Sequence, residues 1–94
     1  MLRIQERLTR YECSRIIGVR ASQIQMSAPI LVDMTTIPPE KQSNFMYIAA
    51  LEMRAQKLDM IVRRPLPMGE FYEVQLSEMR LCEDLDALIA MFEN

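Results

Sequence analysis

The segment Leu8-Thr9-Arg10-Tyr11-Glu12-Cys13 constrains the fold of this chain more than any other. Thr9 followed three residues later by Glu12 is a capping box, in which the threonine hydroxyl accepts from the N3 amide and the glutamate carboxylate accepts from the threonine's own N–H. A helix therefore begins at Thr9. Leu8 before the cap and Cys13 at N4 stand where a hydrophobic staple would form. Beyond them Tyr11, Ile16, Ile17, Ala21, Ile24 and Ala28 recur as one broad helical stripe that Pro29 stops, which predicts a helix of about 18 residues. Gly18 sits in its middle at roughly 1 kcal/mol relative to alanine. Two readings account for it: close approach of another backbone, or a tolerated surface glycine.

Pro29 to Met34 is apolar and extended in preference, and Thr35 to Asn44, with Pro38-Pro39, reads as a loop. A second helix starts with Ser43 or Asn44 as cap and runs through Met46, Ile48, Leu51, Met53 and Leu58 to near Asp59, leaving Glu52, Arg54, Gln56 and Lys57 for its outer face. Met60-Ile61-Val62-Arg63-Arg64 followed by Pro65 and Pro67 reads as an edge strand. Met68-Gly69 is the turn and Glu70 to Val74 the return strand of a hairpin, which must pack on the helices or join a partner's sheet to be stable. From Ser77 as N-cap, with Glu78 in the first turn, Leu81, Cys82, Leu85, Leu88, Ile89 and Phe92 mark a last amphipathic helix. That helix either completes the core or docks in a partner's groove. The elements add up to an α+β fold of three helices and a small hairpin.

Composition narrows the chemistry. The 94 residues contain no His, which removes the commonest general base and metal ligand together with the imidazole-dependent nucleophile arrangements. Cys13 and Cys82 form no C-x-x-C pair and read as buried small hydrophobes. Gly18 and Gly69 alone cannot build a phosphate-cradling loop, and the carboxylates Glu83, Asp84 and Asp86 sit on a helical pattern with no partner for acid/base or metal work. No catalytic residue, cofactor or metal site is expected. The charged N-terminus and the lack of a long apolar stretch predict neither signal peptide nor membrane span.

The net charge of −2 conceals a gradient, with arginines at 3, 7, 10, 15 and 20 near the start and Arg80 as the one cation against seven acids over 65–94. Arg10, Glu12, Arg15, Arg20 and Gln23 on the first helix, with Arg63 and Arg64 on the strand, form the most distinctive polar cluster. Beside apolar runs, such a cluster suits a polar protein–protein interface in which arginine forks grip carboxylates and carbonyls; a solvated face is the bland alternative. A second function class is a small nucleic-acid-binding regulator using the basic first helix, which the low isoelectric point disfavours.

The string Thr9 to Pro29 resembles the signature of the small shared subunit of DNA-dependent RNA polymerases. This is the sixth subunit of the eukaryotic nuclear enzymes, called subunit K in archaea and related to bacterial omega. The family pattern T-[KR]-[YF]-E-x-x-R-[ILV]-[ILV]-G-x-R-A-x-Q-[IL] is met at every fixed position, by Thr9, Arg10, Tyr11, Glu12, Arg15, Ile16, Ile17, Gly18, Arg20, Ala21, Gln23 and Ile24. The likeness continues through Ile48-Ala49, Glu52, Arg63-Arg64, Leu66-Pro67, Gly69 and Tyr72-Glu73, and covers about residues 8–79.

The resemblance implies an omega-like fold and a non-catalytic subunit that clamps the C-terminal part of the largest polymerase subunit, one copy per complex, reaching DNA only through that complex. By it, Thr9, Arg10, Tyr11, Glu12, Arg15, Gly18, Arg20, Gln23, Arg63 and Arg64 bind the partner. Residues 1–79 would form the omega-like domain and 80–94 a helical extension without counterpart in short family members. The sequence also departs from the pattern. No acidic N-terminal tail precedes the match, the loop between Met34 and Ile48 is longer than in the cellular form, and Val74-Gln75 replaces an Asp-Trp. These departures suggest a divergent lineage, such as the polymerase of a large DNA virus. Location follows as intracellular: nuclear, or cytoplasmic and virion-borne if viral.

Overall fold

The computed structural model describes residues 6–93, so the expectations placed on Arg3 and the rest of the first five residues lie outside the described part. Helix α1 spans Arg10–Gln25, with Thr9 as its N-cap. The capping box is present in full, Glu12 N–H donating to Thr9 Oγ1 at 3.1 Å and Thr9 N–H donating to Glu12 Oε1 at 2.9 Å. Leu8 and Cys13 are both buried.

The core face of α1 is Cys13, Ile17, Arg20, Ala21 and Ile24, and Tyr11, expected in the apolar stripe, is 72% exposed. At about 100° per residue Tyr11 projects more than a quarter turn from both Cys13 and Ile17. The helix is also shorter than expected, because it ends before Pro29. Ser27 takes a left-handed φ of 77°, its N–H donates to Ile24 O at 3.0 Å, and Ala28 N–H donates to Gln23 O at 2.9 Å. This is a Schellman motif with serine in the position that glycine usually fills.

The segment after α1 is anchored rather than loose. Asp33 accepts from the amide and hydroxyl of Thr35 at 2.9 and 2.7 Å, opening a 3₁₀ turn over Met34–Thr36. A second turn covers Pro39–Lys41, and Ile37 between them is buried. Asn44 then caps helix α2, Phe45–Arg54, by accepting from Tyr47 N–H at 3.2 Å.

Helix α2 stops four residues before the expected Leu58, and again a left-handed non-glycine is the reason. Gln56 has φ 56°, with Gln56 N–H on Met53 O at 2.9 Å and Lys57 N–H on Glu52 O at 3.1 Å. Leu58 returns to the core from outside the helix. Glu52, assigned by periodicity to the outer face, is fully buried.

Strands β1, Ile61–Pro65, and β2, Phe71–Gln75, form the antiparallel hairpin, in the register Val62↔Val74 and Arg64↔Tyr72. Their connection, Pro67–Gly69, places both Met68 and Gly69 at positive φ, 66° and 79°. Buried Val62 and the half-buried Arg64, Tyr72 and Val74 face the helices.

The chain after the hairpin differs from expectation. Ser77 lies in a 3₁₀ turn, Leu76–Glu78, rather than capping a helix. Arg80 is extended, its N–H donating to Glu6 O at 2.7 Å and its carbonyl accepting from Leu8 N–H at 2.8 Å. This backbone bridge holds the chain straight past the predicted start, so helix α3 is only Leu85–Phe92. Leu85, Leu88 and Ile89 bury into the same core as α1 and α2, so the helix completes that core. Asn44 secures its far end by donating to Phe92 O at 2.6 Å.

Candidate protein interface

The polar residues singled out on α1 and β1 separate into those that face inward and those that face solvent. Arg20 is 7% exposed and lies against the fully buried Glu52. Its Nε donates to Glu52 Oε1 at 2.6 Å, Nη2 to Glu52 Oε2 at 3.2 Å and to Pro29 O at 2.5 Å, and Nη1 to Gln23 Oε1 at 3.3 Å. Glu52 Oε2 also accepts from Leu31 N–H at 2.7 Å. One dry ion pair thus joins α1, α2 and the segment between them, with its hydrogen-bonding capacity filled as a buried charge requires.

Arg64 does the equivalent work between α1 and the hairpin. Its Nε and Nη2 donate to the two oxygens of Glu12 at 3.0 and 2.8 Å, its Nη1 to Glu6 Oε2 at 3.0 Å, and Nη2 also to Arg7 O at 2.7 Å. Tyr72 donates to Glu6 at 3.3 Å. Glu12 therefore closes the capping box and grips the strand with the same carboxylate. The Arg64 guanidinium, aided by Thr9 and opposed by partial burial, holds the Glu12 carboxyl below its ordinary value, and the carboxylates in turn push the Arg64 pKa up. The sequence pattern showed these residues as important but could not show that their partners lie within the chain.

Tyr11, Arg15 and Arg63 are exposed. Arg15 enters no ion pair among the described residues. Arg63 lies over the Phe71 ring at 4.1 Å and 3.6 Å from Glu73 on the outer face of the hairpin. Arg10 meets Asp84 at 3.3 Å. Among the described residues nothing lies within 4 Å of where a Cβ on Gly18 would stand, so no approach of their backbone requires a glycine there.

Between the outer side of α1 and β1 runs a groove of about 830 Å³, bounded by Tyr11, Arg15, Ile16 and Val19 on one side and by Met60 to Pro65 with Phe71 on the other. Half or more of Tyr11, Ile61 and Phe71 is exposed there. Neighbouring apolar side chains stand open there beside arginines, a residue combination that protein interfaces also use. The cysteines take no part. Both are buried, and burial with the neighbouring Cys13 and Asp84 pushes the Cys82 thiol up to about 12, far from a reactive thiolate. No helix among the described residues is long and apolar enough to cross a membrane.

Three helices and an antiparallel hairpin around one core, with a polar-rimmed groove along α1, are consistent with the α+β architecture of omega-like polymerase subunits. The chain belongs to the Rpo6/RPABC2 family of DNA-directed RNA polymerase subunits. Over 72 residues, 77% of its length, it is 39% identical to DNA-directed RNA polymerase subunit Rpo6 of Saccharolobus solfataricus, of which it covers 73%. It is similarly 39% identical over 72 residues to the RPABC2 subunit of DNA-directed RNA polymerases I, II, and III of Schizosaccharomyces pombe, and 38% identical to that of Saccharomyces cerevisiae, covering 77% of this chain and 47% and 43% of theirs. The chain thus spans about half the length of these eukaryotic relatives. No protein-family model matches it.

Proposed function

We propose that the chain is a non-catalytic subunit of a DNA-directed RNA polymerase, one copy per complex, that lies against the C-terminal part of the largest subunit, promotes assembly and steadies the clamp region. The observation that carries this reading is the likeness to Rpo6 and RPABC2 over most of the chain. The open groove supports it. Tyr11, Arg15, Gly18 and Arg63 are the contact residues, while Thr9, Glu12, Arg20, Gln23 and Arg64 hold α1 and β1 in the relative position that shapes the contact. Arg10 borders it through Asp84. Residues 1–79 make the docking unit and 80–94 an extension that braces it. The subunit works inside the cell wherever its polymerase does, and meets DNA through that enzyme.

Binding nucleic acid directly through α1 is less well supported, because Arg10, Arg20 and Arg64 each already face a carboxylate of this chain and little free positive charge is left to displace counterions. A pull-down with the tagged chain and a polymerase largest subunit tests the proposal. Capture that weakens by about tenfold in Arg15→Glu is expected of an interface arginine. Absence of capture, together with salt-sensitive binding to duplex DNA, would replace this reading with the nucleic-acid one.

A further inference from the structure

Among the described residues one side of β1 is paired, with β2, and the other is open. The bonds that close the hairpin run from Leu66 N–H to Glu70 O at 2.7 Å and from Leu76 N–H to Met60 O at 2.8 Å. Alternation along an antiparallel ladder then puts the hydrogen-bonded pairs at Val62↔Val74 and Arg64↔Tyr72, and the N–H and C=O groups of Ile61 and Arg63 point away from β2. Pro65 is next in that outward series, so its missing N–H costs the hairpin no ladder bond.

The groove lies along this unpaired edge. Side chains from both faces of β1 bound it, Ile61 and Arg63 from the outer face and Val62 and Arg64 from the inner, joined at the Pro65 end by Phe71 and Tyr72 of β2, which a hollow over one face of the sheet would not show. Its other wall, on α1, sets the apolar Ile16 and Val19 beside Tyr11, Glu12 and Arg15. A strand edge beside apolar side chains is the geometry that accepts an added strand. A helix in the same place would cover the N–H groups of Ile61 and Arg63 without supplying acceptors for them. The groove's charge points the same way. Its carboxylate, Glu12, is already gripped by Arg64, whereas Arg15 is exposed and Arg63, 3.6 Å from Glu73, still retains 63% of its side-chain exposure.

We infer that the groove takes an extended segment of the docking partner as a third strand on β1, with apolar side chains against Ile16 and Val19 and carboxylates at Arg15 and Arg63. The inference rests on the docking reading above and specifies its chemistry. Main-chain bonds to Ile61 and Arg63 supply the register, and complementary charge discourages basic or neutral competitors.

Hydrogen exchange on the full chain, alone and in complex with the largest subunit, is the test. The amides of Ile61 and Arg63 should exchange fast in the free chain and at least about tenfold more slowly in the complex, while the outward amides of β2 at Glu73 and Gln75 stay fast. Ile61→Pro, which removes one outward N–H but no hairpin bond, should weaken capture by about tenfold, and Ile61→Val should not. Slow exchange at Val62 and Arg64 confirms that the hairpin survives the proline. Reversing both charges, Arg15→Glu with Arg63→Glu, should weaken capture further and abolish its salt dependence.

Capture that persists while the Ile61 and Arg63 amides remain fast overturns the added strand but leaves docking intact. Protection that rises with the concentration of the chain alone means that two copies pair edge to edge, and also overturns it. Failure of the unaltered chain to capture any largest subunit overturns the docking reading itself, and this inference with it.

Discussion

Two arginine–glutamate pairs tie α1 to the rest of the molecule in opposite surroundings. Arg20–Glu52 is shut in the core, with side chains 8% and 0% exposed, and is met on its remaining sites by Pro29 O and Leu31 N–H. Arg64–Glu12 stands at the groove, with both side chains about one fifth exposed and shared with the helix cap and Glu6. The same chemical pair thus has two uses. In the core it fixes the course of the chain between two helices, and at the groove it holds a strand at a set distance from a helix while remaining open to protons and solvent.

Breaking the inner pair should cost most. Glu52→Ala leaves the Arg20 guanidinium buried without its counter-charge and is expected to destabilise the chain by about 3–5 kcal/mol, measured by chemical denaturation. That is a large part of the stability of a domain this small. Replacing both partners by apolar residues, Arg20→Met with Glu52→Leu, removes the charge penalty but still strands Pro29 O and Leu31 N–H. Stability should therefore recover only in part. Full recovery would mean that the pair does not organise the 29–31 segment.

At the groove the expected loss is smaller and depends on pH. Glu12→Gln keeps an acceptor for the Thr9 amide, since glutamine also closes a capping box, and so isolates the ion pair at about 1–2 kcal/mol. Because the folded state lowers the Glu12 pKa below its ordinary value of 4.5, unfolding takes up a proton over that range. Its contribution is fully present above the unfolded value and is lost as pH falls through the lower folded one. Acid titration of stability should show this loss in the natural chain and lack it in Glu12→Gln. Equal acid sensitivity in the two would place the titrating group elsewhere.

Both pairs mark the limit of reading by pattern. The capping box, the hairpin and its turn depend on residues a few positions apart, and were legible as local chemistry. Glu52 was assigned to an outer face because its partner, Arg20, lies 32 residues away and leaves no trace in helical periodicity. The polar cluster on α1 was visible, yet its division into inward struts and outward contacts depends on which carboxylates the fold delivers to Arg20 and Arg64. Tyr11 lies outside the core because the buried face of α1 is a narrower stripe, through Cys13, Ile17, Ala21 and Ile24, than apolar spacing alone indicates. Ser77 has the residue type of a cap, but the backbone bridge from Arg80 to Glu6 and Leu8 holds that stretch extended and delays α3.

The helix ends are hidden in the sequence for a different reason: α1 and α2 close through left-handed Ser27 and Gln56, where a glycine would mark the stop. The strain at these two residues, unlike the buried charge of Arg20–Glu52, can be removed without loss of a contact named above. Ser27→Gly and Gln56→Gly should each stabilise the chain by about 0.5–1 kcal/mol, since the left-handed conformation costs an L-residue that much or more and glycine little. Being at the ends of different helices, the two gains should add in a thermal melt. A loss at either position would show that the side chain makes a compensating contact.

Gly18 gives the smallest effect on stability and separates folding from docking. A methyl group there meets nothing within 4 Å among the described residues, so Gly18→Ala should gain up to about 1 kcal/mol from helix propensity alone. The position shares the solvent-facing side of α1 with Tyr11 and Arg15, at helical spacings of i, i+4 and i+7. If a partner's backbone comes close there, the same methyl group that stabilises the free chain must obstruct the complex. Higher stability with weaker capture is therefore the expected pair of outcomes. Higher stability with unchanged capture would move the contact off this strip of the helix and toward the β1 side of the groove.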